Sequence, residues 1–197
     1  MAKSSKEWLQ RHVTDHYVRK ARKEGYRSRA AYKLLEIDAK EKLFRAGQTV
    51  LDLGAAPGGW SQVAAQKVKP GKVIAIDLLP VAPIPGVEVR KGDFRGQLGD
   101  LIPMDIVLSD VSPNLSGIRD ADQARSLELL LAAIDVCRLL LKPGGTFVSK
   151  AFHGGAFDEV HAALKKAFAT VKVVKPAASR GESRETYFVS RGPRIAE

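Results

Sequence analysis

The sequence predicts an α/β fold: a mostly parallel sheet covered by helices on both faces, with one antiparallel strand and a basic helical extension at the N-terminus. Three observations carry this. From about residue 40 onward, short apolar strand segments alternate with segments of helical periodicity, which builds a parallel sheet through crossover connections. The last two strand segments are separated only by a short polar linker containing SRGESR, so they must pair as a hairpin and one of them runs against the sheet. The first forty residues read as helix and hold most of the positive charge.

Taken in order, Ser4 or Ser5 is placed to cap a first helix running to about Lys23, which Gly25 breaks. Ser28 is placed to cap a second helix to about Ala39. TVLDLG (49–54) is a short apolar strand, and a helix is expected over 58–68. KVIAID (72–77), VEVRKG (87–92) and MDIVLSD (104–110) are the next strands. Residues 121–141 form a long helix, with Leu127, Leu130, Leu131, Ile134, Cys137 and Arg138 at helical spacing before a break at KPGG. A strand over 145–151, a helix over 156–168 and the strands TVKVVK (170–175) and ETYFVS (185–190) complete the chain.

With 197 residues, 45% hydrophobic and 27% charged, the chain has material for one sizeable core. A single domain over 1–197 is expected, with residues 1–40 as the basic extension and 41–197 as the sheet domain. No apolar run approaches the roughly 18 residues needed to cross a bilayer. The start, MAKSSKEWLQRH, is charged where a signal peptide would be apolar, so a soluble cytoplasmic protein is expected with no membrane partner. The single cysteine, Cys137, fits a reducing compartment and reads as helix core. His12 and His16 have i, i+4 spacing, yet neither an H-E-x-x-H pattern nor a third ligand accompanies them, so no metal is expected.

Net charge is +10, and residues 1–33 hold ten lysines and arginines against three acids. Positive charge interleaved with Trp8, Tyr17, Tyr26 and Tyr32 suits a polyanion whose phosphates displace counterions and whose bases stack on aromatic faces. A polyanion is the expected partner, with Arg27 and Arg29 beside Lys33 as phosphate contacts.

VLDLGAAPGGW (50–60) is the most specific stretch. Gly54 allows a sharp turn after the first strand, and Gly58 and Gly59 open the start of the next helix to a ligand. The stretch matches neither G-x-G-x-x-G nor a GK[ST] phosphate loop, so a di- or triphosphate is poorly served. Asp77 closes the second strand about 20 residues later, where a carboxylate accepts from both hydroxyls of a ribose.

These residues carry a resemblance. Gly54 to Gln62 (GAAPGGWSQ), Asp77-Leu78-Leu79-Pro80, Gly92-Asp93-Phe94-Arg95, Ser109-Asp110 with Ser112-Pro113-Asn114, and Ser183-Arg184-Glu185 resemble the FtsJ/RrmJ-type ribosomal RNA large-subunit 2'-O-methyltransferases. Ser112 stands where many members have alanine. The resemblance spans nearly the whole chain. It implies a Rossmann-like class I methyltransferase with a seven-stranded sheet, S-adenosyl-L-methionine as donor, and methylation of the ribose 2'-hydroxyl of a uridine in large-subunit ribosomal RNA. By position it implies that Gly58 and Trp60 lie in the donor loop, that Asp77 takes the donor ribose and Asp93 its adenine, and that Asp110 lies beside the sulfonium.

The resemblance also implies a Lys-Asp-Lys-Glu tetrad at Lys33, Asp110, Lys150 and Glu185. Topology lets these converge: Asp110 and Lys150 stand at the ends of parallel strands, and the start of an antiparallel strand, at Glu185, lies at the same rim. Lys33 falls at the edge of the apolar face formed by Ala30, Ala31, Leu34, Leu35 and Ile37. Lys150 is expected as proton acceptor. A lysine acts as a base only as the neutral amine, roughly one part in a thousand of an ordinary lysine near pH 7.4, a handicap of about 4 kcal/mol. Burial and a nearby cation favour the neutral form, and nearby carboxylates oppose it. His153 is a further candidate at the rim, and residues 111–125 read as a mobile loop over the site. Expected partners are large-subunit ribosomal RNA or the large ribosomal subunit, acted on by a monomer. A methyltransferase of tRNA or an mRNA cap shares the tetrad, whereas a non-enzymatic RNA-binding assembly factor would not need it.

Overall fold

The computed structural model describes residues 15–96, 98–113, 117–152, 154, 156–179 and 185–194. Helix α1 (His16–Glu24) starts where Asp15, in extended conformation, accepts the Tyr17 N–H at 3.0 Å, and it ends at Gly25 with φ 76°. The expected helix from Ser4 or Ser5 to about Lys23 therefore does not run through Asp15, because a capping carboxylate holds the backbone out of helical geometry there. Ser4, Trp8 and His12 lie outside the described residues.

Helix α2 (Ala30–Glu41) is preceded by Arg29, which is already helical and makes no side-chain cap. The expected cap, Ser28, instead presses its side chain against the backbone of Gly59, where a Cβ would collide with it. Ser28 docks one segment onto another rather than capping its own helix.

The sheet domain follows as β1 (Thr49–Leu53), α3 (Gly59–Val68), β2 (Lys72–Asp77), β3 (Val87–Lys91), β4 (Met104–Ser109), α4 (Arg119–Leu140), β5 (Leu141–Phe152), α5 (Phe157–Ala167), β6 (Phe168–Val174) and β7 (Glu185–Pro193). Its seven strands run in the order β3-β2-β1-β4-β5-β7-β6. Only β7 runs against its neighbours, β5 and β6. Because β2 and β3 lie on one side of β1 and β4 on the other, strand order reverses between β1 and β4. A crevice opens there beyond the carboxyl ends of the strands.

Alternation along the strands sorts the core into two layers. Leu51, Leu53, Ile74, Ile76, Val107 and Phe147 face α4 and α5. Val50, Val73, Ile106, Leu108, Val148 and Tyr187 face α2 and α3. On α4 the inward seam is Leu130, Ala133, Ile134 and Cys137, and Leu131, expected on that seam, is 41% exposed. The KPGG stretch ends the helix as expected but does not delay the strand. Pairing steps from Met104 with Leu141 to Ile106 with Thr146, so Lys142–Gly145 bulge out of β5. The strand also continues two residues past Lys150. No helix among the described residues is long and apolar enough to cross a membrane.

Candidate active site

Two glycines shape the turn after β1. Gly54 has φ 70°, and a Cβ on it would lie 2.9 Å from that of Val111. Gly58 has φ 105°, and a Cβ there would meet Ile84 at 2.6 Å. Both positions need backbone freedom and the missing side chain. The carboxylate of Asp77 braces this turn, accepting the Ala56 N–H at 2.8 Å and the Leu79 N–H at 2.7 Å.

A cavity of about 400 Å³ opens beside this turn, lined by Gly54, Asp77, Leu79, Asp93, Asp110 and Val111 among others but not by Gly58. Three carboxylates in one cavity repel a phosphate and suit a cationic ligand with hydroxyls or amines. Leu78 and Leu79, each 64% exposed, offer an apolar wall. Asp93 is gripped by Arg95 through contacts of 2.6 to 3.0 Å, and this hydrogen bonding holds its carboxyl below the usual range. Trp60 does not line the cavity. It is buried, donates Nε1–H to the Ala30 carbonyl at 2.9 Å and packs on the Tyr187 ring at 5.6 Å.

Beneath the turn, Asp52 is buried at 1% exposure and takes a 2.5 Å hydrogen bond from Ser61, while its other oxygen has no partner. Burial, with Asp110 and Asp77 nearby, pushes its pKa up to about 7. In the unfolded chain it would titrate near the ordinary 3.8. The stability tied to its protonation is thus full below about pH 4 and drains as pH rises through 7. Asp52→Asn is expected to gain on the wild type by up to about 4 kcal/mol between pH 4 and pH 8, read as the difference between urea titrations.

The four charged residues converge on the sheet face that packs against α2 and α3. Lys33 Nζ lies 2.6 Å from Glu185 Oε1. Lys150 Nζ donates to the Asp110 carbonyl at 2.6 Å and stands 3.3 Å from Asp110 Oδ1. Between the two pairs is Tyr187, register partner of Lys150 across β5 and β7. Its hydroxyl lies 3.1 Å from Asp110 Oδ1 and 3.0 Å from Glu185 Oε1. One phenolic proton thus serves two carboxylates, with the Lys33 and Lys150 side chains on either side. Burial pushes the Glu185 carboxyl up, but Lys33, Lys150 and the Tyr187 hydroxyl outweigh it, and the group lies below its usual range. Burial beside the two carboxylates pushes the Tyr187 phenol far up, so it stays protonated as a donor.

Sequence reasoning missed Tyr187. Its signal was the period of two, which puts residue 187 on the same strand face as Glu185. Tyr187→Phe is expected to lower turnover about tenfold and to cost about 1–3 kcal/mol of stability, because two half-buried carboxylates lose their common donor. Initial rates and urea titrations check both.

Arg27 and Arg29, expected at RNA phosphates, are half-buried and hydrogen-bonded within the chain. Arg27 donates to the Ala82 and Pro83 carbonyls at 2.6 Å and to Pro57 at 3.3 Å, tying the glycine turn to the segment after β2. Arg29 pairs with Asp15 and donates to the Ala178 carbonyl. Among the described residues, Arg19, Lys20, Arg22 and Lys23 are the exposed cations of α1. His153 and residues 180–184 between β6 and β7 lie outside the described residues, as do residues 114–116 of the expected loop. Among the described residues, no cluster of three metal-ligating side chains occurs.

Against this geometry, the profile of the FtsJ-like methyltransferases matches residues 26–193. A protein of Nitrosospira multiformis named ribosomal RNA large subunit methyltransferase E is 50% identical over 98% of both chains. One of the same name from Legionella pneumophila is 49% identical over 96% of this chain and 97% of its own. A solved structure from Plasmodium falciparum, described as a ribosomal RNA methyltransferase, superposes with a TM-score of 0.76 at 30% identity, covering 87% of this chain and all of that one.

Proposed function

We propose, because this chain belongs to the FtsJ-like methyltransferase family, that it methylates the ribose 2'-hydroxyl of a uridine in large-subunit ribosomal RNA, as a cytoplasmic monomer using S-adenosyl-L-methionine. The observation that supports this most is the convergence of Lys33, Asp110, Lys150 and Glu185 at the rim of a carboxylate-lined cavity. Near 50% identity over nearly full length to proteins named for large-subunit ribosomal RNA favours that substrate over tRNA or a cap.

The cavity fits the donor in chemistry: Asp77 would accept from ribose hydroxyls, Asp93 would turn from Arg95 toward an adenine amino group, and Asp110 would face the positive sulfonium. Gly54 and Gly58 keep the turn open, and Trp60 anchors the helix behind it. When bound, the donor would supply an electrophilic methyl group, its carbon–sulfur bond breaking as sulfur keeps the electron pair and leaves as a neutral thioether.

The protein's own residues handle the nucleophile. Lys150, as a neutral amine, accepts the proton of the 2'-hydroxyl as the new carbon–oxygen bond forms. The resulting ammonium is held by the carbonyl and carboxylate of Asp110 and later releases its proton to water. Lys33 and Glu185, joined through Tyr187 to Asp110, fix the arrangement, so the reacting groups need little reorganisation. Residues 1–40 act as the RNA-binding extension, with Arg19, Arg22 and Lys23 presented to phosphates.

The test is incubation with radiolabelled donor and separated tRNA, ribosomal RNA and ribosomal particles, followed by mapping of the 2'-O-methyl nucleotide. Label confined to a large-subunit uridine is expected, and label on tRNA alone would overturn the reading.

A further inference from the structure

A second cavity, of about 370 Å³, opens at the same rim, between the N-terminal halves of α4 and α5. Ser109, Gln123, Leu130, Lys150, Phe152 and Val160 are among its walls. Val111 lines both cavities, and Lys150 stands at the mouth of this one. The mechanism above makes no use of it.

Three features say what it would take. Its walls are mostly apolar, which would strip water from a phosphate without replacing it, so a charged backbone is excluded and a flat, weakly polar group is favoured. Phe152, 41% exposed at the mouth, is a large aromatic left open to solvent, and Lys150 Nζ sits 5.7 Å from its ring centre. Ser109, only 1% exposed, has a hydroxyl without a hydrogen-bond partner. A buried hydroxyl is ordinarily satisfied, and an orphan in a cavity wall suits a polar ligand edge.

We infer that this cavity receives the base of the nucleotide being methylated, splayed out of the RNA, stacked on Phe152 and hydrogen-bonded at its edge by Ser109. The inference rests on the reading that Lys150 acts on a ribose. A base hangs one glycosidic bond from its ribose, so a ribose held at Lys150 brings its base to this mouth. The adjoining first cavity, with its three carboxylates, is left to the donor.

The test uses the full-length protein with undermethylated large subunits. Ser126→Trp projects an indole from α4 into the cavity and is expected to raise KM for the RNA at least tenfold, with the donor Kd within twofold of wild type. Phe152→Ala is expected to raise KM roughly tenfold, and Phe152→Tyr to restore it, since stacking needs only an aromatic face. In parallel, 5-iodouridine at the mapped target position should photo-crosslink to Phe152. Wild-type KM in both Ser126→Trp and Phe152→Ala, or a Phe152 adduct formed only from a neighbouring nucleotide, would overturn the cavity assignment. If Ser126→Trp fails to fold, the exposed Phe152 variants and the crosslink decide. A wild-type protein that labels no large-subunit RNA would overturn the functional reading itself, an outcome distinct from indifferent variants of an active enzyme.

Discussion

Replacing Lys150 with alanine is expected to reduce methyl transfer by 10²- to 10⁴-fold, the usual loss when a positioned proton acceptor is removed. Donor affinity should stay within twofold, because Lys150 is not among the residues lining the donor cavity. Lys150→Arg separates charge from basicity. A guanidinium keeps the positive charge but does not give up a proton near neutral pH, so it should fail as badly as alanine. If Lys150 served only to balance Asp110, arginine would restore most of the rate. Single-turnover rates at saturating donor, beside calorimetric donor titrations, distinguish the two roles, and near-normal turnover in either variant would remove Lys150 as the base.

Asp77→Ala is expected to weaken donor binding about 100-fold while leaving the rate at saturating donor within a few fold. Two hydrogen bonds to a charged acceptor are together worth about 3 kcal/mol or more, and each 1.4 kcal/mol is a factor of ten in affinity. Asp77 also braces the glycine turn through the Ala56 and Leu79 N–H groups, so some of the loss comes from a loosened turn. Asp77→Asn tells these apart: it keeps one acceptor for the backbone and should recover part of the affinity. Calorimetry with the donor checks it, and a change below threefold for Asp77→Ala would remove this residue from the donor site.

What the sequence made legible were features that depend on local pattern. Alternating apolar runs located every strand, and the hairpin argument found the one strand that runs backward. Residues at strand ends, such as Asp110 and Glu185, share a rim by topology alone, and Lys33 could be placed at a helix edge from periodicity. What escaped were pairings between distant segments. Ser28 looked like a cap because serine before a helix usually is one, yet Gly59, thirty-one positions later, receives its side chain. Arg27 and Arg29 looked free because charge in a sequence carries no record of its partners, here the carbonyls of Ala82, Pro83 and Ala178 and the carboxylate of Asp15. Tyr187 carries no local signal beyond its place in a strand, and only the register with Lys150 makes it the centre of the cluster.

The position of β7 also bears on how the molecule assembles. In the sheet order, β6 touches only β7, and β7 lies between it and β5. β6 can therefore join the sheet only with or after the strand that comes last in the chain, which brings Glu185 and Tyr187 with it. A partly folded intermediate lacking that insertion could hold β1 to β5 together, with the glycine turn and Lys150 in place, and still have no completed charge cluster. Competence to react is thereby tied to the final step of sheet closure, so immature chains should be silent rather than partially active.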